Sequence, residues 1–152
     1  MQFSSPQGHD LPDNDPLHVP AEYAGDLIAG ADHRFTAKTY GHIFSQWIVE
    51  KEFAWWQHDL VPDQEVAVEP VTPHPILTLH FMVQGDIRFH LHGKGDGIKK
   101  AGEYILFYIP AGFGNQLWLP KGHSRTQHLN MDPTLLEELA EKHASHLSPR
   151  NT

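Results

Sequence analysis

The sequence predicts an all-β domain, a sandwich or barrel, closed by one C-terminal α-helix. Between His74 and Leu119, short β-rich runs are broken by glycine-bearing turns roughly every eight to twelve residues, the spacing of such folds. At the centre stand Ile76–Gln84, then Gly85-Asp86, then Ile87–His92. Glycine supplies the positive φ that a type II′ turn needs at its first central position, so this stretch reads as a hairpin. After Asp132 the apolar period lengthens from that of a strand to that of a helix.

Residues 1–40 carry Pro6, Pro12, Pro16 and Pro20 and little periodicity. They read as an extended N-terminal arm, a strand or coil wrapped on the sheet, with at most one helical turn near 21–29. The barrel is expected over 41–131 and the helix over 132–147, as one domain overall. Along 41–60, Phe44, Gln46, Ile48, Glu50 and Glu52 alternate with Ser45, Trp47, Val49, Lys51 and Phe53, and Trp55-Trp56 follow. One long bent strand or two is expected there, with Trp47 and Trp55 on one face if no bulge intervenes. These tryptophans are either core aromatics or the aromatic wall of a ligand pocket, since pockets are mostly apolar with a few polar groups.

Val61–Pro75 is rich in proline, which favours edges and turns, with a short strand at Glu65–Val68. In the central hairpin, Leu77, Leu79, Phe81 and Val83 form an apolar face that reads as core. Thr78, His80, Met82 and Gln84 form an amphiphilic one. Glu103–Ile109 is nearly all apolar and aromatic, as expected for a strand covered on both sides. Pro110-Ala111-Gly112 makes a tight corner, and Ser124–Met131 reads as the last strand. Asp132-Pro133 offers an N-cap followed by proline at the first helical position. Leu135, Leu136, Leu139, Ala140, His143 and Leu147 then recur at helical spacing, and Ser148-Pro149 ends the helix.

Composition narrows the functional classes. At 152 residues the chain suits one domain with a sizeable core. The formal net charge is −8 and Lys plus Arg number only 11, unclustered, so these residues are not expected to bind nucleic acid directly. No cysteine is present, which removes disulfides, thiolate metal sites and cysteine nucleophiles. No apolar run approaches the roughly 18 residues of a membrane helix. Met1–Pro6 lacks the charged and apolar regions of a secretory leader, so a cytoplasmic location is expected.

The order of strands, the Gly85 turn and the Pro110-x-Gly112 corner resemble the cupin fold, a double-stranded β-helix or jelly-roll barrel. The cupin metal motifs fit poorly. Placed on Gly85, the ligand slots of the first motif fall at Thr72, His74 and Thr78; in the second, the histidine slot holds Asn115. Only His74 keeps a ligand, and one histidine does not hold a catalytic transition metal. A broader resemblance runs through Leu77–Ile87, Gly102–Pro110, and Asp132-Pro133 leading into Leu135–Ala140. This series is similar to the N-terminal domain of AraC-type transcription factors.

That resemblance implies a metal-free, cupin-like unit for sensing a small-molecule effector and for homodimerisation. It implies contact with DNA only through a C-terminal pair of helix-turn-helix motifs that these residues do not contain. An isolated regulatory domain, or a piece of a longer regulator, is therefore expected. No enzymatic activity, no cofactor and no membrane association are expected.

The candidate ligand-binding residues are Trp47, Trp55, His74, Thr78, His80, Met82, Tyr108 and Asn115. His80 falls with Thr78 and Met82 on the barrel interior if the cupin register holds, and Asn115 can donate and accept. Leu136, Leu139, His143 and Leu147 are the candidate interface, or equally the stripe that packs the helix on its own sheet. His90-x-His92 shares one strand face without an obvious third ligand, so it reads as solvated. Lys99-Lys100 and Gly93-Lys94-Gly95 make no phosphate loop, because no helix follows them. Two rivals stand beside the regulator: a metal-dependent cupin enzyme, isomerase or dioxygenase, and a stand-alone small-molecule or carbohydrate-binding module.

Overall fold

The computed structural model describes residues 2–4, 19–71, 73–112 and 115–147, without the side chains of 2–4, 70, 71, 107 and 145–147. Much of the expected N-terminal arm, residues 5–18, lies outside the described residues. The described chain runs β1 (Gln2–Ser4), a 3-10 helix (Ala21–Asp26), β2 (Asp32–Lys38), β3 (Gly41–Val49), β4 (Phe53–Pro62) and β5 (Val66–Val71). It continues through β6 (Ile76–Gln84), β7 (Asp86–Leu91), β8 (Gly95–Lys100), β9 (Tyr104–Ile109), β10 (Gln116–Leu119), β11 (Ser124–Met131) and α1 (Pro133–Leu147). The sheet thus takes in β2, within the stretch read as an arm.

One sheet has the order β2-β3-β4-β11-β6-β9 and the other β1-β5-β10-β7-β8. In the first, β4 and β6 flank β11 with β9 beyond; in the second, β5 and β7 flank β10 with β8 beyond. This interleaving of two matching four-strand sets is that of a jelly roll, so the chain has an all-β, cupin-like fold with a C-terminal helix. Between the sheets Leu60, Val66, Val68, Met82, Ile87 and Leu119 form a buried apolar cluster. Each such side chain stabilises the fold by about 1.5–3 kcal/mol relative to exposure.

Gly85 does not make a hairpin. β6 and β7 belong to different sheets, so Gly85 is a corner between them. The local signal is the same, because a corner also needs positive φ. Gly85 has φ +79°, and a Cβ there would stand 2.7 Å from Ser124 Oγ. A second correction concerns the tryptophans. β3 and β4 form a hairpin that pairs Trp47 with Trp56 and Ile48 with Trp55. Directly opposed residues share a face, so Trp47 and Trp55 lie on opposite faces. Folding back through Glu50–Glu52 pairs odd positions with even ones, which a single strand would not.

The faces of β6 are also exchanged. Thr78, His80 and Met82 turn into the barrel and are buried, whereas Phe81 and Val83 are exposed on the outside. At Val83 the register with β11 shifts, and the bulge turns Gln84 outward to face Arg125. The strand read as covered on both sides, β9, is an edge strand. Its Tyr104, Leu106 and Tyr108 are exposed, 67% in the case of Tyr104. Apolar composition therefore marks an outer face here.

The outer face is covered at one end. Tyr23 of the 3-10 helix stacks on Phe44 at 4.5 Å between ring centroids. The Gln46 amide accepts from Ile28 N at 2.8 Å and donates to the Asp26 carbonyl at 2.9 Å. Arg125 bridges Asp26 to the wholly buried Asp59, whose Oδ1 also meets His123 Nε2 at 2.7 Å. Those contacts hold the Arg125 guanidinium pKa above its ordinary value, through the hydrogen bond to Asp59 first and against the opposing effect of burial.

At the other end of the chain, Asp132 caps α1 by accepting from Thr134 N and Oγ1 at 2.9 and 2.7 Å. These bonds lower the Asp132 pKa. Beyond the cap, Leu136 and Leu139 stand about half exposed, and the helix packs closely on no strand among the described residues.

Candidate functional site

The inner face of the six-stranded sheet carries the chemistry. Strand register sets its side chains in rows. One row reads Ile105, His80, His128, Trp56 and Trp47 across β9, β6, β11, β4 and β3. The next reads Met82, Thr126, His58 and Ser45. A third row sets Thr78 against Asn130. The rings make a continuous track. Trp47 stacks on Trp56 at 5.0 Å, and Trp56 on His58 at 5.7 Å. His58 meets His128 edge-on at 5.1 Å, and His80 meets His128 edge-on at 4.2 Å.

Burial disfavours the charged forms of His58 and His128. It pushes His58 down to about 4. It holds His128 well below its ordinary value, helped by the neighbouring charges of His58 and Lys99. His58 Nδ1 pairs with Ser45 Oγ at 2.8 Å, and His128 Nε2 with Thr126 Oγ1 at 3.3 Å. His80 Nδ1, Thr78 Oγ1 and Asn130 Oδ1 are buried with no hydrogen-bond partner. Each such orphan costs about 1–3 kcal/mol, and the three lie on adjacent register positions. Of these three residues, His80 borders a cavity of about 20 Å³, room for one water. His58, His80, Thr126 and His128 wall it on one side, and Val68, Ile87, Leu117 and Leu119 of the facing sheet on the other.

The residues predicted from the sequence fall in several places. Thr78, His80 and Met82 come together on the inner face, and Trp47 begins the aromatic track. Trp55 and Tyr108 lie on the outer face instead, for the register reasons given above. His74 is exposed ahead of β6 and joins no cluster with them. Asn115 is buried, but its Oδ1 accepts from His92 N at 3.3 Å and so ties β10 to the β7–β8 turn. Leu136, Leu139 and His143 are exposed on α1; the side chain of Leu147 lies outside those described. His90 faces Asp96 across the β7–β8 hairpin at 2.6 Å, a carboxylate partner the sequence reading did not assign.

Sequence reasoning missed Trp56, His58, Lys99, Thr126, His128 and Asn130. An alternation signal was present for some of them: Trp56 and His58 alternate along one strand, and Thr126, His128 and Asn130 along another. Lys99 gave no signal, since a lysine pair in a turn-rich segment reads as surface.

Three separate histidines invite a metal, yet among the described residues no group of three or more His, Asp or Glu is placed to hold one. Nor is any helix of the described residues long and apolar enough to cross a membrane.

These features define a jelly-roll barrel of the cupin-like class with a polar interior. No protein-family model matches the sequence, and no curated protein matches it. Solved structures resemble it at low identity. A RmlC-like cupin from Shewanella frigidimarina aligns with a TM-score of 0.48 and 12% identity, over 69% of this chain and 86% of that one. An HTH_3 family transcriptional regulator from Vibrio cholerae aligns at 0.47 and 10%, over 60% of this chain and 51% of that one. The Cupin_2 domain of an XRE family transcriptional regulator from Enterobacter cloacae aligns at 0.44 and 12%, over 60% and 97%.

Proposed function

We propose that this domain is the effector-binding and dimerisation unit of an AraC-type transcriptional regulator, sensing a small molecule directly in its barrel. One observation carries the reading: three unpartnered polar atoms, on Thr78, His80 and Asn130, lie side by side on an inner sheet face. Several buried polar groups without protein partners on one face call for a bound water or ligand to satisfy them. The aromatic track from Trp47 to His80 supplies the apolar and stacking surface that a ligand site needs.

The proposed role is binding. The resemblance to regulators, through the strand series and the helix that follows, supports it. The ligand acts by population shift, favouring one arrangement of the N-terminal segment and of α1. A near-complete switch requires about 10⁴-fold tighter binding to one state. α1 presents Leu136 and Leu139 to a second copy of the chain. Contact with DNA belongs to helix-turn-helix motifs beyond these residues, in the cytoplasm.

A thermal-shift screen of small polar metabolites tests this. A ligand that raises the unfolding midpoint of the wild type by several degrees, and loses that effect in His80→Ala, is the expected result. Ligands that stabilise both proteins equally would place the site elsewhere.

A further inference from the structure

The outer face of the six-stranded sheet is apolar where β9 ends it. Three rows of side chains cross β4, β11, β6 and β9 there, from the Phe53–Tyr108 row to the Gln57–Tyr104 row, and none carries a charge. Phe81, Tyr104, Leu106 and Tyr108 are between 38% and 67% exposed. β9 is also an open edge. Met82 N donates to the Glu103 carbonyl at 2.9 Å, which fixes the phase of the β6–β9 ladder. Bonded and unbonded pairs alternate along antiparallel strands, so the backbones of Ile105, Phe107 and Ile109 bond to β6. Tyr104, Leu106 and Tyr108 therefore turn their backbone N–H and C=O groups to the free edge.

Edges left in solvent are ordinarily blunted by charge, brevity or proline. The opposite edge, β2, carries Asp32, Arg34 and Lys38; β8 carries Asp96 and Lys100, and β1 spans three residues. β9, Tyr-Ile-Leu-Phe-Tyr-Ile, has no charge, proline or glycine.

We propose that β9 pairs antiparallel with β9 of a second copy of this chain, about a two-fold axis at Leu106, joining two six-stranded sheets into one. This rests on the dimerisation proposed above and adds a sheet contact to that of α1. Leu106 opposes its own counterpart, and Tyr104 opposes Tyr108 of the second copy. No other register bonds all three edge-facing residues, and this one sets the tyrosines in directly opposed pairs. The outward set, Tyr-Leu-Tyr, reads the same in both directions, which a contact between identical copies requires and a foreign strand does not. At about 200 Å² for a whole aromatic side chain, the exposed parts of Tyr104 and Tyr108 alone come to roughly 200 Å² per copy. Leu106 and the bare backbone add to that, towards the roughly 500 Å² a side that a specific interface needs.

Light scattering after size exclusion, on the wild type and two double variants, tests the pairing. The wild type is expected at twice the 17.2 kDa of one chain. Tyr104→Lys with Tyr108→Lys opposes like charges in both tyrosine pairs and should give monomers. Tyr104→Lys with Tyr108→Glu opposes unlike charges in this register and should restore the dimer. Amide hydrogen exchange on the wild type needs no variant: the N–H groups of Tyr104, Leu106 and Tyr108 should be as protected as those of Ile105 and Phe107. A monomeric wild type would overturn the self-pairing and the proposed dimerisation together, and leave the edge to a strand of another protein. A Lys–Lys variant that stays dimeric would overturn the β9 pairing alone and leave α1 as the contact. A Lys–Glu variant that stays monomeric, or edge amides that exchange freely, would also overturn it. Both tyrosines lie on the outer face, so the sensing reading is tested separately by His80→Ala.

Discussion

The two faces of the six-stranded sheet invert the usual pattern. The inner face holds three histidines, threonines and an asparagine, with a buried lysine opposite them in the second sheet. The outer face of β6 and β9 shows Phe81, Val83, Tyr104, Leu106 and Tyr108 to solvent. A sheet that served only to pack a core would place these sets the other way round, since burying polar groups without partners costs free energy. The difference teaches that packing is supplied by the other sheet and by Leu60 and Met82, leaving a polar inner face for the proposed recognition of a small molecule.

The contrast can be broken or sharpened by experiment, beginning with the largest expected effect. Met82→Ala on the inner face should cost about 3 kcal/mol in urea unfolding, while Val83→Ala on the outside should change stability by less than about 0.5 kcal/mol. Similar costs would mean that the faces have been confused.

Acid should act on the inner face next. His58 titrates at about 4 in the folded chain against 6.5 in the unfolded one, so the unfolded state takes the proton first. Its stabilising contribution is complete above 6.5, falls as pH drops and is gone below 4, a loss of about 3 kcal/mol from this group alone. Unfolding midpoints at pH 7, 5.5 and 4.5 measure it, and a flat profile would count against a buried neutral His58.

Lys99→Met should raise stability at pH 7 by about 2 kcal/mol, because the folded state disfavours the charge that the unfolded chain retains up to about 10.5. That gain should shrink as pH rises from 7 to 10.5, read from paired urea curves. Smallest in stability, within about 0.5 kcal/mol, is Leu136→Glu with Leu139→Glu on α1. Light scattering should nevertheless show it converting the proposed dimer to monomers.

Much of this fold was legible. Most strand positions from Gly41 onward, the final helix and its Asp132 cap follow from alternation, turn residues and the change of period, whereas β2 lies in the stretch read as an arm. Pairing was not, because a glycine with positive φ marks a corner as readily as a hairpin, as Gly85 shows. The site was legible only where Thr78, His80 and Met82 alternate along one strand. Its other half comes from β4 and β11, which are far apart in sequence and meet through register alone. Trp55 and Tyr108 were misplaced because an aromatic residue looks equally suited to either face. The Val83 bulge shows why parity cannot be carried through a strand end.

The central claim is that the inner histidines meet a small molecule directly and not through a bound metal. Metal analysis of the untagged, purified and dialysed chain tests this most directly. The account predicts far less than one transition-metal ion per chain, unchanged in His80→Ala. One tightly held ion per chain, lost in His80→Ala, would contradict it and make the barrel a metal centre.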